Sequence, residues 1–205
     1  MPQKNTLKDY DADAYYHVFA RGVNKRKIFI DDKDYEYFTS LFNRYLSGKA
    51  IPSLAGGLYP DFSSNLSLIS YCLMPNHFHL FIHQNEIEEG LPKFMSSLMT
   101  SYSKYFNKKY KRVGSLFESR YKGKRIIEDS HFTHISRYIH MNPRSWLRYE
   151  YSSLKYIFSN NCPNWLKPGM LREEFRDFDE YIGFLKEYSA NKELLAEIKH
   201  ELADM

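Results

Sequence analysis

The segment His77–His83 constrains this chain more than any other. In an extended segment side chains alternate, so Phe78, Leu80 and Ile82 share one face while His77, His79, Phe81 and His83 share the other. The first face is wholly apolar and belongs in a core. The second presents three imidazoles. Leu66 to Met74 is another apolar run, separated by Pro75-Asn76, so the two read as strands of an antiparallel hairpin with a tight connection.

Around that hairpin the periodicities alternate. Tyr15 to Val23 reads as a first strand, with Tyr16, Val18 and Ala20 alternating against Tyr15, His17 and Phe19. Asp31-Asp32 opens a helix over about 32–47, with Tyr35, Phe38, Leu41, Phe42 and Tyr45 at helical spacing. Residues 47–65 hold three glycines and two prolines and read as a loop. A second helix spans about 90–110, buried through Leu91, Phe94, Met95, Leu98, Tyr102, Tyr105 and Phe106. A short strand follows at 124–127, then a third helix capped by Asp129-Ser130 and ending near Asn142. Strand, helix, strand, strand, helix, strand is the split βαβ order. The expected class is therefore α+β: a ferredoxin-like (RRM-like) antiparallel sheet with helices packed on one face, plus a C-terminal helical extension. We divide the chain into a domain at 10–160 and an acidic extension at 166–205, with helices near 178–189 and 191–203.

The 205 residues suffice for a sizeable core. No run approaches the roughly 18 apolar residues of a membrane span, and the start carries no signal-peptide apolar segment. Cys72 and Cys162 are too few for a disulfide framework. These features predict a soluble, cytoplasmic protein that does not engage membranes. Net charge is only +4, but nine basic residues against one acid fall between Lys104 and Arg125, whereas the stretch from 166 onward is net acidic. A neutral body with one basic stripe points to a polyanion. Interleaved Tyr105, Phe106, Tyr110, Phe117 and Tyr121 add stacking surfaces that favour nucleic acid over a merely solvated face. From that stripe the candidate DNA contacts are Lys104, Lys108, Lys109, Arg112, Arg120, Lys122, Lys124 and Arg125.

His77 and His79, at i and i+2 on one strand face, have the spacing to chelate one ion. Strand histidines that only hydrogen-bond show the same spacing. Imidazole softness favours Zn, Mn or Fe over Mg, without choosing the ion. On the third helix, Phe132, Ile135 and Ile139 form an apolar stripe, while His131, His134, Tyr138 and Asn142 lie on another face. Tyr138 and Asn142 are neighbours there at i and i+4, and Pro143 ends the helix, leaving the amide at its tip. A tyrosine packed at an interface beside a C-capping asparagine is the competing reading. With 18 tyrosines in the chain, residue type singles out none of them.

Met74-Pro75-Asn76-His77-Phe78-His79-Leu80 resembles the histidine–hydrophobe–histidine (HUH) motif of single-tyrosine transposases. Tyr138-Ile139-His140-Met141-Asn142-Pro143 resembles their tyrosine helix in the form of the REP-associated tyrosine transposases. His17-Val18-Phe19-Ala20-Arg21-Gly22, the run Arg112 to Tyr121 and Tyr151-Ser152-Ser153 also resemble that family, so the similarity covers about residues 14–157 and leaves out the acidic extension. The resemblance implies a divalent ion, Mg²⁺ or Mn²⁺, held by His77, His79 and Asn142. It further implies that Tyr138 attacks single-stranded DNA to leave a 5′-phosphotyrosine and a free 3′-hydroxyl. The long loop 47–65 departs from the family pattern.

A free phenol, with a pKa of about 10, is a poor nucleophile at neutral pH, and His134, one turn before Tyr138, is a candidate proton relay. The expected substrate is single-stranded or stem-loop DNA, and the expected state is monomer or homodimer. Two alternatives stand beside the transposase reading: a non-catalytic binder of DNA hairpins, and a metal-dependent phosphodiesterase that activates water.

Overall fold

In the computed structural model the described residues are 10–187, apart from 54, 86–88, 128 and the side chains of 129 and 130. The chain runs through β1 (Ala14–Arg21), α1 (Asp32–Leu46), β2 (Leu66–Met74), β3 (His77–Gln84), α2 (Gly90–Lys109), β4 (Lys122–Ile126) and α3 (Asp129–His140). Short 3-10 turns then lead to α4 (Gly169–Glu173) and α5 (Phe178–Lys186). The strands order β2-β3-β1-β4, every neighbouring pair antiparallel. This is the ferredoxin-like α+β arrangement, with β3 inserted between β1 and β2.

Strand alternation divides the sheet between two apolar clusters. Tyr16, Val18, Phe78, Leu80 and Ile82 face α1 and α2, which contribute the fully buried Phe38, Phe42, Phe94, Leu98 and Tyr102. Each such large side chain contributes about 1.5–3 kcal/mol by leaving water. The long pair α1 and α2 therefore shares one face. The opposite face, through Ile69, Cys72 and Phe81, packs against Ile135, Tyr138 and Ile139 of α3 and against Leu171, Tyr181 and Leu185 of α4 and α5. The face carrying the imidazoles is thus roofed by α3 and the extension rather than open, and His79 and His83 are buried.

Local chemistry sets the element ends. Asp31 and Asp34 form a reciprocal capping box at the start of α1, an arrangement that contributes about 1 kcal/mol. Pro143 disfavours helical geometry at the residue before it, so α3 stops at His140. Met141 N still reaches Arg137 O at 2.9 Å, and Asn142 N turns to Ile139 O at 3.4 Å. In β2 the pairing register shifts between Leu68 and Ser70, so Ile69 is an extra residue. That bulge lets Leu68 and Tyr71 both enter the α1/α2 core while Ile69 and Cys72 serve the other. The outer edge of β2 bonds to later chain: Leu73 N donates to Tyr151 O at 2.9 Å and Lys167 N to Leu68 O at 2.7 Å. Residues 166–187 consequently cap the same core.

The expected helix at 191–203 and the capping role of Asp129 and Ser130 lie outside the described residues. Among the described residues no helix is long and apolar enough to cross a membrane.

Candidate metal and nucleophile site

The turn before His77 is fixed by a neighbouring segment. Ile28 N and Phe29 N both donate to Pro75 O, at 2.8 and 3.0 Å, and Gly22 N donates to Asn76 O at 2.9 Å. Gly22 is required here, because a Cβ would meet Arg26 O at 2.4 Å and Ile28 Cγ2 at 2.8 Å. The amide of Asn76 donates to Lys25 O at 3.4 Å, which aims its Oδ1 at His77 Nδ1, 2.7 Å away. His77 therefore carries its proton on Nδ1, and its Nε2 lone pair is directed elsewhere.

That lone pair points at Asn142, whose Oδ1 lies 3.3 Å from His77 Nε2. The same amide places Nδ2 3.4 Å from His79 Nε2. Two imidazole nitrogens, 77 and 79, thus converge on one carboxamide across 65 and 63 residues of chain. The ring of Tyr138 stands edge-on to His79, with centroids 5.3 Å apart. His77, His79, Tyr138 and Asn142 are thus brought together. His83, the third imidazole of the face, pairs with Asp13 at 2.9 Å and stands apart from them.

A residue outside the four singled out by the motifs completes the arrangement. His17 Nε2 lies 2.9 Å from His79 Nδ1, both rings fully buried and stacked at 12°. When His17 accepts from His79 Nδ1–H, the lone pair of His79 sits on Nε2, facing Asn142. Such an outer partner fixes the tautomer of a ligating histidine. The sequence sets Tyr15, His17, Phe19 and Arg21 on one face of β1, but only the β1–β3 pairing, with His17 opposite Phe81 and Arg21 opposite His77, brings His17 beside His79.

Burial, the dominant cause, holds the pKa of His77 down at about 4 and that of His17 at about 3; Arg21 further lowers the former and Lys124 the latter. His79 is pushed well below its ordinary value by burial, then by His17 and His77. All three rings are therefore neutral at pH 7, the form in which imidazole ligates. Among the described residues no group of three or more His, Cys, Asp or Glu converges on one point. The donor set is instead two neutral imidazoles and an amide oxygen. Two lone-pair acceptors 3.3 Å apart, His77 Nε2 and Asn142 Oδ1, repel unless a cation or a proton lies between them. These residues fit a divalent ion with positions left over for oxygen ligands.

The basic residues separate by face. Lys122 and Lys124 pair across from Phe19 and His17 and so share the imidazole face. Arg125 points the other way and pairs with Asp11. Lys109 is held inside the fold, its ammonium 2.6 Å from Asp31 and 2.7 Å from the fully buried Asp34. Arg112 donates to Asn107 Oδ1 at 3.0 Å. Lys104 and Arg120 line a groove of about 990 Å³ between α2 and the segment before β4, with Ser103, Asn107, Phe117 and Tyr121. Arg120 and Ser119 also border a small pocket with Phe19, Arg21 and Lys122 on the imidazole side. His134 is engaged at the α3–α5 junction: Arg137 Nη1 lies 3.3 Å from its Nδ1 and the Phe184 ring 5.6 Å from its own.

Fold and site together define an α+β protein with a histidine–hydrophobe–histidine strand set against a tyrosine-bearing helix. Residues 62–142 match the family model described as transposase, IS200 like, a span that contains His77, His79, Tyr138 and Asn142. Over that span the chain is similar to the single-tyrosine transposases. Among solved structures it is similar to a REP-associated tyrosine transposase bound to a REP hairpin, at 13% identity and a TM-score of 0.51, covering 75% of this chain and 84% of that one. A protein from Deinococcus radiodurans R1 assigned to the transposases aligns at 14% identity and a TM-score of 0.39, covering 68% of this chain and 95% of that one. No curated protein matches the chain.

Proposed function

We propose that this protein nicks and rejoins single-stranded DNA, with Tyr138 as nucleophile and His77, His79 and Asn142 as the ligands of a divalent cation, Mg²⁺ or Mn²⁺. One observation carries the reading: both Nε2 atoms converge on the Asn142 amide while the Tyr138 ring abuts His79. A hairpin binder that does not cut has no use for that set.

Bound among those three side chains, the cation would draw charge from the non-bridging oxygens of the scissile phosphate and ease ionisation of a nearby phenol. The protein's own groups do the rest. Neutral, buried imidazoles keep the centre free of competing protons, and His17 and Asn76 hold their orientation. Arg21, opposite His77 in the β1–β3 register, and Lys122 and Lys124 on the adjoining strand supply positive charge where a phosphate backbone would approach. Tyr138 Oη bonds to phosphorus as the P–O3′ bond breaks; its proton passes to solvent and the departing 3′-oxygen takes one up. The 5′-phosphotyrosine retains the energy of the broken bond, so a 3′-hydroxyl can reverse the attack and join strands. Phosphoryl transfer of this kind depends mainly on positioning and charge stabilisation.

The groove holding Lys104 and Arg120 meets the Arg21–Lys122 pocket at Ser119 and Arg120, which offers a stem-loop substrate a second, cationic and aromatic contact beside the cutting site. The reading is tested by incubating hairpin-bearing single-stranded oligonucleotides with Mg²⁺ or Mn²⁺ and resolving products on denaturing gels. A covalent protein–DNA adduct is expected from the wild type and none from Tyr138→Phe. Cleavage of equal extent in Tyr138→Phe would instead assign the site to water activation.

A further inference from the structure

Helix α5 lies outside the residues that match the transposase family model, yet it grips the helix that carries Tyr138. Two α3 side chains flanking Tyr138 in sequence, Arg137 and His140, are 1% and 0% exposed, and both bond to α5. His140 Nδ1 lies 2.6 Å from Tyr181 Oη, and Tyr181 Oη donates to Ser136 Oγ at 3.1 Å. On its other side His140 Nε2 lies 2.7 Å from Ser153 Oγ, which accepts from Tyr71 N of β2 at 2.8 Å.

One protonation pattern satisfies His140, Tyr181 and Ser136 together, with the Ser153 proton going to His140 Nε2 rather than to Tyr71 O, 3.2 Å away. Ser153 donates to His140 Nε2, His140 Nδ1–H to Tyr181 and Tyr181 to Ser136, whose hydroxyl donates to Thr133 O at 2.7 Å. Arg137 adds a second hold. Its Nη2 donates to Phe184 O at 2.5 Å, and its guanidinium lies 3.6 Å from the centre of the Phe184 ring. Phe184 O belongs to the last turn of α5, the end toward which a helix dipole draws positive charge.

Successive residues of a helix are offset by 100°, so α3 cannot turn about its axis without tearing these buried bonds. Nor can Tyr138 and Asn142 move off the imidazole pair while the bonds hold. We propose that α5 is a built-in clamp that sets the rotation of α3, with Tyr181 and Phe184 acting as positioning residues for Tyr138 and Asn142. The clamp rests on the reading of Tyr138 as nucleophile for its functional meaning, and on the α3–α5 bonds for its existence.

The test uses the full chain carrying Tyr181→Phe, which keeps the ring and removes the hydroxyl, and separately Phe184→Leu, which keeps bulk and removes the guanidinium contact. Hydrogen exchange on the metal-free protein should rise over 137–142 and stay unchanged in β3. With hairpin oligonucleotide at saturation, the rate of adduct formation should fall on the order of tenfold to a hundredfold, while the Kd for that DNA is unchanged. Unaltered exchange in α3 for both folded variants overturns the clamp. So does an equal rise in α3 and β3, which marks general loosening, or a wild-type adduct rate despite loosened α3. If the wild type itself forms no adduct, the functional reading fails, and the exchange measurement alone decides the clamp.

Discussion

Buried neutral histidines should make this fold acid-sensitive well above the carboxylate range. His17 and His140, both fully buried, are held by desolvation at about 3, and His77 at about 4. In the unfolded chain each titrates near 6.5. As pH falls through 6.5 the unfolded state takes up protons that the folded state refuses, so stability drops across the window from 6.5 down to the folded values. Above pH 7 these groups contribute no slope. Between about pH 7 and pH 5 each histidine costs about 2 kcal/mol, and the three together up to about 6 kcal/mol. That is comparable to the whole stability of a typical domain, about 5–15 kcal/mol. Urea unfolding in metal-free buffer at several pH values in that interval measures it directly. His140→Gln should be less stable at neutral pH and should lose about a quarter of the pH slope, because one of four buried titrating groups, the fully buried His79 among them, is gone. A wild-type midpoint that stays level from pH 7 to pH 5, or a variant slope equal to that of the wild type, would refute the argument.

Three other outcomes follow from particular contacts. His17→Phe keeps the stacked ring but removes the acceptor for His79 Nδ1; Mn²⁺ affinity by calorimetry should fall about 10- to 100-fold with little change in DNA affinity. Lys109→Met strands the buried Asp34 carboxylate, which keeps Tyr110 Oη at 2.8 Å and Ile30 N at 2.8 Å as partners; unfolding should register a loss of about 2–3 kcal/mol and DNA binding should be unaltered. Lys122→Ala with Lys124→Ala, on the imidazole face, should reduce the salt dependence of single-strand binding by about 0.7 for each phosphate no longer neutralised, whereas Arg125→Ala, on the opposite face, should leave it nearly unchanged.

Much of the architecture could be read from periodicity. The alternation in His77–His83 placed its two sets on opposite faces of β3, and the helical stripes of α1 and α2 became core. Asn142 lies past the end of α3, where Pro143 implied it would. The bulge at Ile69 was not legible, because an extra residue in an apolar run leaves no mark on a pattern whose every position is apolar. His17 belongs beside His79 only once β1 is known to pair with β3, a long-range fact that spacing does not encode. The basic stripe looked uniform in sequence, yet Lys109 was drawn inward by Asp31 and Asp34 on α1, more than seventy residues earlier. His134 shares a helix face with Tyr138 by projection, but α5 arrives from the far end of the chain and occupies it through Phe184.

The flanks of the sheet are unequal in what they offer a visitor. Along β2 the outward amides and carbonyls at Leu68, Tyr71 and Leu73 are already engaged by the chain itself, and the kink at Ile69 spoils the straight ladder that a foreign strand would need. Lateral recruitment of another polypeptide is thereby directed to the rim formed by β4, five residues long and bearing Lys122, Lys124 and Arg125. Lys122 and Lys124 there repel a second copy of the same rim, while Arg125 is offset by Asp11, so crowding this protein should not drive it into sheet-to-sheet chains.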